Sequence, residues 1–155
     1  MLFFRAEPAL RCACYFDEIS TQGWEAKMSR GRVEDRRLAR LTKICLALPE
    51  AVRERYKEHA GFRVRKKVFA YFLKDHHGDG IVSVCCKALP GDNTALVSAQ
   101  PGRFYLPAYI GPRGWVGLRL DVGEIDWEEV AELVRGSYQL TAPKRLVEMV
   151  EGKPA

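Results

Sequence analysis

RFYLPAYIGPRGWVGLRL, residues 103–120, is the stretch that decides the fold. It holds four aromatic residues, two prolines, three glycines and three arginines in 18 positions. Gly111-Pro112-Arg113-Gly114 has the composition of a turn, because proline fixes φ and removes a donor while glycine permits positive φ. Trp115 and the apolar run after it then predict a strand. We therefore predict a β-hairpin that carries Arg113 near its tip and places Trp115 on a sheet.

This hairpin has two interpretations. In the first, Trp115 and Phe104 are core residues and Arg113 is a solvated turn residue. In the second, the hairpin is a wing whose basic tip, with Arg103 and Arg113, contacts a polyanion. The residues alone leave both open.

The overall composition is that of a water-soluble globular protein. The 155 residues suit one domain, and no apolar run approaches the roughly 20 residues of a membrane helix. Five cysteines without a secretory pattern predict free thiols and a cytoplasmic location. Cys12 and Cys14 have no second pair at zinc spacing, so we expect neither a metal site nor a cofactor.

Positive charge is concentrated in one part of the chain. The net charge of +5 and pI of about 9.0 favour an anionic partner. Residues 28–74 hold 14 Lys+Arg against 5 Asp+Glu, whereas residues 75–155 hold 8 against 11. The first of these segments is therefore the basic half.

The first 27 residues differ from the rest. They show no sustained periodicity and end just before Met28, an alternative initiator. We predict a weakly ordered extension over 1–27, a domain over 28–150 and a short tail over 151–155.

The basic half is predicted to contain a helix and then strands. Apolar spacing indicates a helix over 33–48, which Pro49 ends. Alternation predicts a strand over 51–57 and a break at 59–61, and the run 62–73 predicts one long strand or two short ones. The densest basic cluster of the chain lies in this run and is a candidate for phosphate contacts from a strand. It comprises Arg63, Arg65, Lys66 and Lys67.

The second half alternates turns, strands and helices. Residues 75–80 form a predicted hairpin loop, and we interpret His76 and His77 as solvated turn residues rather than metal ligands or catalytic bases. A strand over 81–87 and a short helix through Ser98 follow, capped by Asp92 or Asn93. Asp126 predicts the start of a helix that ends near residue 140, and a last helix covers 144–150.

The order of these motifs resembles the MmcQ/YjbR family. The resemblance covers about residues 33–147, and several separate motifs in the right order carry it. They are Leu48-Pro49-Glu50, Phe62-Arg63-Val64, Lys67-Val68-Phe69-Ala70, Pro101-Gly102-Arg103-Phe104, Tyr109-Ile110-Gly111, Gly114-Trp115-Val116, Asp126-Trp127, Ser137-Tyr138 and Lys144-Arg145-Leu146. The resemblance implies an α+β fold, a two-layer sandwich whose antiparallel sheet is backed by helices, similar to secretion chaperones. It also implies DNA binding through a double-wing arrangement.

Few residue roles follow from this resemblance. Lys67, Trp115, the Ser137-Tyr138 pair and a basic residue at Lys144 or Arg145 match family motif positions, as does Tyr109. None of them is thereby assigned a catalytic role. For Ser137 and Tyr138 we favour structural roles, with the tyrosine packed under the sheet and the serine bonded to a backbone carbonyl.

These observations together predict a DNA-binding protein that is not an enzyme. We expect weak sequence preference, no membrane association and a monomer. Phosphates of duplex DNA would be contacted by a basic sheet face and by two hairpin wings, around His76-His77 and Pro112-Arg113. The candidate contacts are Arg63, Arg65, Lys66, Lys67, Arg103, Arg113, Lys144 and Arg145. The alternative is a module that binds a protein partner or small ligand through the aromatic hairpin and the sheet face. An enzyme has least support, because the sequence contains no recognisable P-loop, nucleophile elbow or metal cluster.

Overall fold

The computed structural model of the protein describes residues 34–152. Residues 35–152 belong to one compact unit. The predicted extension over 1–27, with Cys12 and Cys14, lies outside the described residues. None of the described helices combines the length and apolar character that crossing a membrane requires.

Four α-helices lie in the described part of the chain. They are α1 (Arg36–Leu46), α2 (Asp92–Ala99), α3 (Trp127–Thr141) and α4 (Lys144–Val150). Asp35 caps α1, where its carboxylate accepts a bond from the Arg37 N–H, and Asp126 caps α3 as predicted. Apolar residues at helical spacing, among them Leu38 and Leu41, bury one side of α1.

Six strands form a single antiparallel sheet. They are β1 (Ala51–Tyr56), β2 (His59–Val64), β3 (Lys67–Lys74), β4 (Val82–Lys87), β5 (Phe104–Tyr105) and β6 (Trp115–Arg119). Their order across the sheet is β1-β2-β3-β4-β6-β5. With the helices, this sheet confirms the predicted α+β sandwich.

The helices within residues 34–152 pack on one side of the sheet. Helix α3 packs on β3 and β4, and α1 packs on β1 and on α3. We call this side of the sheet the helix face and the other the open face. The core fills the helix face, and its largest fully buried side chains include Phe62, Phe69, Phe72, Leu41 and Tyr138.

The predicted break at residues 59–61 is wrong, because these residues begin β2. The chain turns two residues earlier, where Lys57 adopts φ 56°. Gly61 serves close packing instead of a turn. A Cβ added there would lie 3.2 Å from the ring of Tyr56 on the neighbouring strand.

The basic cluster lies at a hairpin and not within one strand. Of the two predicted alternatives, the structure shows two short strands, β2 and β3, joined through Arg65 and Lys66. Arg65 has φ 55°, and the register shift falls earlier, between Phe62 and Arg63. The prediction that a strand holds all four cations is therefore incorrect, since only Arg63 and Lys67 belong to strands.

Two local predictions in the second half also need correction. Residues 111–113 form a short 3-10 helix instead of a tight turn, and Gly114 at φ 92° ends it. The cap of α2 is Gly91, and Asn93 is buried within the first turn. The Asn93 amide donates to the carbonyls of Gly111 and Trp115 over 2.9 Å and 3.3 Å, which anchors the 3-10 segment to α2.

The cysteines of the described region are free thiols. Cys45 and Cys86 belong to the core, while Cys85 lies on the other side of β4, as strand alternation predicts. Burial raises the pKa of Cys85 to about 11, so the thiol stays protonated near neutral pH.

Candidate functional site

The open face of the sheet is aromatic in character. Strand alternation places Tyr56, Tyr71, Tyr105 and Trp115 on this side. Gly117 lies beneath the Tyr105 ring, where a Cβ would come within 2.3 Å of a ring carbon. The glycine thus allows the tyrosine to lie flat against the sheet.

Three basic residues meet at one end of the sheet, where the open face borders the last turn of α3. Lys67, Lys87 and Arg113 line a single cleft of about 320 Å³ together with Trp115. We call this the cationic cleft. All three basic residues are exposed, whereas Trp115 is buried against Tyr71, with ring centroids 5.3 Å apart.

Backbone geometry explains why the three cations converge. Lys67 begins β3 and Lys87 ends β4, at the same end of two antiparallel strands. Lys87 is paired in register with Trp115, the first residue of β6. Arg113 precedes that strand, and a 2.8 Å bond from Ala88 N–H to the Gly114 carbonyl ties its segment to the end of β4.

The cationic cleft retains its positive charge. Within residues 34–152, no carboxylate forms an ion pair with Lys67, Lys87 or Arg113. The last turn of α3 also borders the cleft, and its carbonyls carry roughly half a negative charge. The three unit positive charges exceed this partial negative charge, so the cleft is suited to an anion.

Several predicted contact residues are neutralised by carboxylates. Arg63 pairs with Glu54, and Arg65 pairs with Glu50 at 2.9 Å. Arg103 pairs with Glu129. We call Arg63, Arg65 and Arg103 the paired arginines. Their positive charge is offset locally, which weakens their attraction for phosphate.

The remaining predicted contacts are divided between two parts of the molecule. Lys66 is exposed in the β2–β3 turn, and it directly precedes Lys67 of the cationic cleft in the sequence. Lys144 and Arg145 open α4, which packs on α3 and so belongs to the helical layer. Neither residue lines the cationic cleft. The structure therefore brings together Lys67 and Arg113 from the predicted set.

A larger groove adjoins the cationic cleft on the open face. Its volume is about 580 Å³, and it shares Tyr71 and Ile110 with the cleft. We call it the tyrosine groove, after Tyr56, Tyr71, Tyr105 and Tyr109 in its lining. Tyr105 is held by a 2.7 Å hydrogen bond between its hydroxyl and that of Ser83, and burial raises the pKa of both Tyr71 and Tyr105.

The two loops expected to act as wings meet across this groove. His77 belongs to the β3–β4 loop, and Tyr109 belongs to the segment before the 3-10 helix. Their ring centroids are 6.3 Å apart. The loops therefore close over one end of the open face and do not stand apart on either side of it.

All three histidines of the chain gather at this end of the groove. The Lys74 N–H donates to His59 Nδ1 over 3.2 Å, which makes the other nitrogen of a neutral His59 a donor toward His76 Nδ1, 3.3 Å away. Burial, followed by the nearby His76, lowers the pKa of His59. No group of residues in the described chain has the arrangement of a metal site.

Ser137 and Tyr138 have the structural roles that we favoured. The Ser137 hydroxyl donates to the Phe69 carbonyl of β3 and accepts from the Lys87 N–H of β4 at 2.8 Å. Tyr138 donates to the Pro49 carbonyl over 2.7 Å and packs edge-on against Phe69. The pair thus joins α3 to the sheet directly beneath the cationic cleft.

Sequence reasoning missed Lys87, Tyr71 and His59 as members of the site. Lys87 has the same strand parity as Ser83 and Cys85, and this signal alone could have placed it on the open face. His59 could not be recognised, because the residues around it were interpreted as a strand break.

Comparison with known proteins agrees with the fold and the motif order. A family model described as YjbR matches residues 46–140. A crystal structure of the Deinococcus radiodurans protein DR2400, whose domain is classed as DUF419, is similar at a TM-score of 0.58 and 25% identity. The match covers 76% of this chain and 88% of that one. A search of curated proteins found no match.

Proposed function

The chain belongs to the YjbR family, and from this membership together with the cationic cleft we propose that it is a DNA-binding protein that catalyses no reaction. The observation that carries the proposal is the convergence of Lys67, Lys87 and Arg113 in one cleft without carboxylate partners among the described residues. Phosphate contacts supply most of the affinity of such proteins for DNA.

The proposed interface differs from the one that the basic residues of the sequence indicate. Phosphates bind at Lys67, Lys87 and Arg113, with Lys66 next to them in the β2–β3 turn. The paired arginines contribute little, because attraction for a phosphate competes with their carboxylate partners. Contacts to phosphates carry no sequence information, so sequence preference is weak. We propose that a cytoplasmic monomer performs this role.

The alternative function is a module that binds a small ligand or a protein partner. The tyrosine groove favours it, since about 580 Å³ lies within the usual range of roughly 300–1,000 Å³ for ligand pockets. Binding in an apolar groove responds little to salt. Binding to DNA weakens steeply as salt increases. The salt response therefore separates the two functions.

The experiment that tests DNA binding compares two triple variants with equal net charge. Fluorescence anisotropy measures the affinity of each variant for labelled DNA across a salt series. Changing Lys67, Lys87 and Arg113 to alanine is expected to weaken binding about a thousandfold at low salt, since each phosphate contact is worth about tenfold near 0.05 M. Changing the three paired arginines to alanine removes the same charge and is expected to weaken binding less than about threefold.

Urea unfolding of both variants serves as the control that each remains folded. The proposal is wrong if the wild-type protein binds no DNA at low salt. It is equally wrong if both triple variants lose the same affinity, because the net charge alone would then account for binding.

A further inference from the structure

The tyrosine groove has chemistry that phosphate binding does not use. Four tyrosines line it, together with the histidines of the β3–β4 loop and apolar side chains that include Leu73, Ile81 and Leu106. Among the described residues of its lining, the one carboxylate is that of Asp79, which lies on that loop and away from the cationic cleft. The groove itself therefore suits flat apolar groups, and it does not suit phosphate.

One aromatic side chain at the rim stands free. Tyr109 is 83% exposed and adopts φ 66°, an uncommon backbone conformation for a residue other than glycine. Burial of a tyrosine ring is normally favourable, so this ring gives up stabilisation that the fold could have gained. The Tyr109 ring lies at the edge of the tyrosine groove and faces the His77 ring.

The aromatic lining of the tyrosine groove suits an unpaired strand rather than a double helix. The rings of His77 and Tyr109 lie 6.3 Å apart at one end of the groove. A duplex keeps the faces of its bases stacked inside. An unpaired strand presents those faces and can be bound by aromatic side chains.

We infer that the protein binds unpaired, single-stranded DNA, with bases stacked on the tyrosine groove and an adjoining phosphate in the cationic cleft. The inference rests on the proposed DNA-binding function. The cleft and the groove share Tyr71 and Ile110, so they form one continuous surface that is basic at one end and aromatic along its length. A nucleotide strand has the matching arrangement of anionic phosphates and flat rings.

The test compares an unstructured oligothymidylate with a duplex of equal length, by anisotropy at low salt. The wild-type protein is expected to bind the single strand more tightly. Tyr109→Ala is expected to weaken single-strand binding about 5- to 150-fold, the range for loss of one stacked base, and to leave duplex binding unchanged. Tyr109→Phe retains the ring and is the matched control, expected to bind like the wild type.

Each other outcome overturns a specific claim. Tighter duplex binding, or an equal loss for both DNAs in Tyr109→Ala, overturns the single-strand inference and leaves the DNA-binding function intact. Thymidine monophosphate that binds as tightly as the oligonucleotide also overturns it, because the site would then serve one small molecule. Absence of binding to either DNA contradicts the proposed function itself.

Discussion

The two faces of the sheet use the same strands for different purposes. On the helix face, polar groups such as the Ser137 hydroxyl are buried and fully bonded. On the open face, the cationic cleft and the exposed Tyr109 keep their binding capacity. A side chain with satisfied partners contributes to folding, whereas one with unsatisfied charge or exposed aromatic surface is available to a ligand. Changes on the helix face should therefore alter stability, and changes on the open face should alter binding, with a loss of stability where they disturb its packing.

The largest expected effect on stability is on the helix face. Ser137→Ala leaves the Phe69 carbonyl and the Lys87 N–H without their partner, and each unsatisfied buried group costs about 1–3 kcal/mol. We expect the free energy of unfolding in urea to fall by about 2–4 kcal/mol. Ser98→Ala makes the same chemical change at an exposed position of α2 and should change it by less than about 0.5 kcal/mol. Equal losses in the two variants would show that the bridge stabilises nothing.

The next largest expected effect on stability concerns the packing of Gly117 against Tyr105 on the open face. Gly117→Ala brings a Cβ within 2.3 Å of the Tyr105 ring, which is already held through Ser83. Overpacking of this kind costs about 1–3 kcal/mol, and displacement of the ring should also weaken DNA binding. Gly136→Ala in α3 meets no atom within 4 Å and is expected to stabilise by up to about 1 kcal/mol. Thermal unfolding measures the Tm of both variants. A shift of Tm in the same direction for both would contradict this account.

The fold was largely predictable because it follows from periodicity. Helical spacing, the Asp126 cap and strand alternation are local signals, and they identified the helices and most of the strands. The turn between β1 and β2 was misplaced because Gly61 indicates a turn by composition. Its actual role depends on the Tyr56 ring of a neighbouring strand, which no local pattern reveals.

The candidate site was only partly predictable. Charge density in the sequence identified Lys67 and Arg113, but it could not show that Glu54, Glu50 and Glu129 neutralise the arginines. Those pairs join residues far apart in the chain, such as Arg103 and Glu129. Lys87 was missed for a similar reason, since its neighbours Trp115 and Arg113 come from another strand and loop.

A smaller effect on stability should appear as the pH falls. The folded-state pKa of His59 lies below the ordinary value of 6.5, so the unfolded chain binds more protons below that pH. The free energy of unfolding should therefore decrease as the pH falls through about 6.5, and level off below the folded-state pKa. The main physical cause is that burial disfavours the charged imidazole, and a protonated His59 also cannot accept from the Lys74 N–H.

Urea unfolding at pH 7.5 and 5.5 checks this dependence. His59→Asn retains an acceptor and does not titrate, so its stability should change less between the two conditions than that of the wild type. His77→Asn replaces a histidine of the β3–β4 loop. It should retain the wild-type pH dependence of stability, because His59 is unchanged. An unchanged pH response in His59→Asn would exclude His59 as its source.

The smallest expected effect concerns a paired arginine. Glu54→Gln removes the carboxylate partner of Arg63 on the open face. The freed guanidinium can then attract phosphate, and we expect DNA affinity at low salt to rise about two- to fivefold. Glu132→Gln makes the same charge change on an exposed position of α3 and should leave affinity nearly unchanged. An equal rise in both variants would show that only net charge matters.

Chemical footprinting of lysines tests most directly the central claim that DNA binds on the open face at the cationic cleft. The protein is acetylated with and without saturating DNA, and mass spectrometry measures the modification of each lysine. DNA should lower the reactivity of Lys67 and Lys87 several-fold and leave Lys43 in α1 and Lys144 in α4 unchanged, although all four are exposed in the free protein. Protection of Lys43 and Lys144 with unchanged reactivity at Lys67 and Lys87 would place DNA on the helical layer and contradict the account.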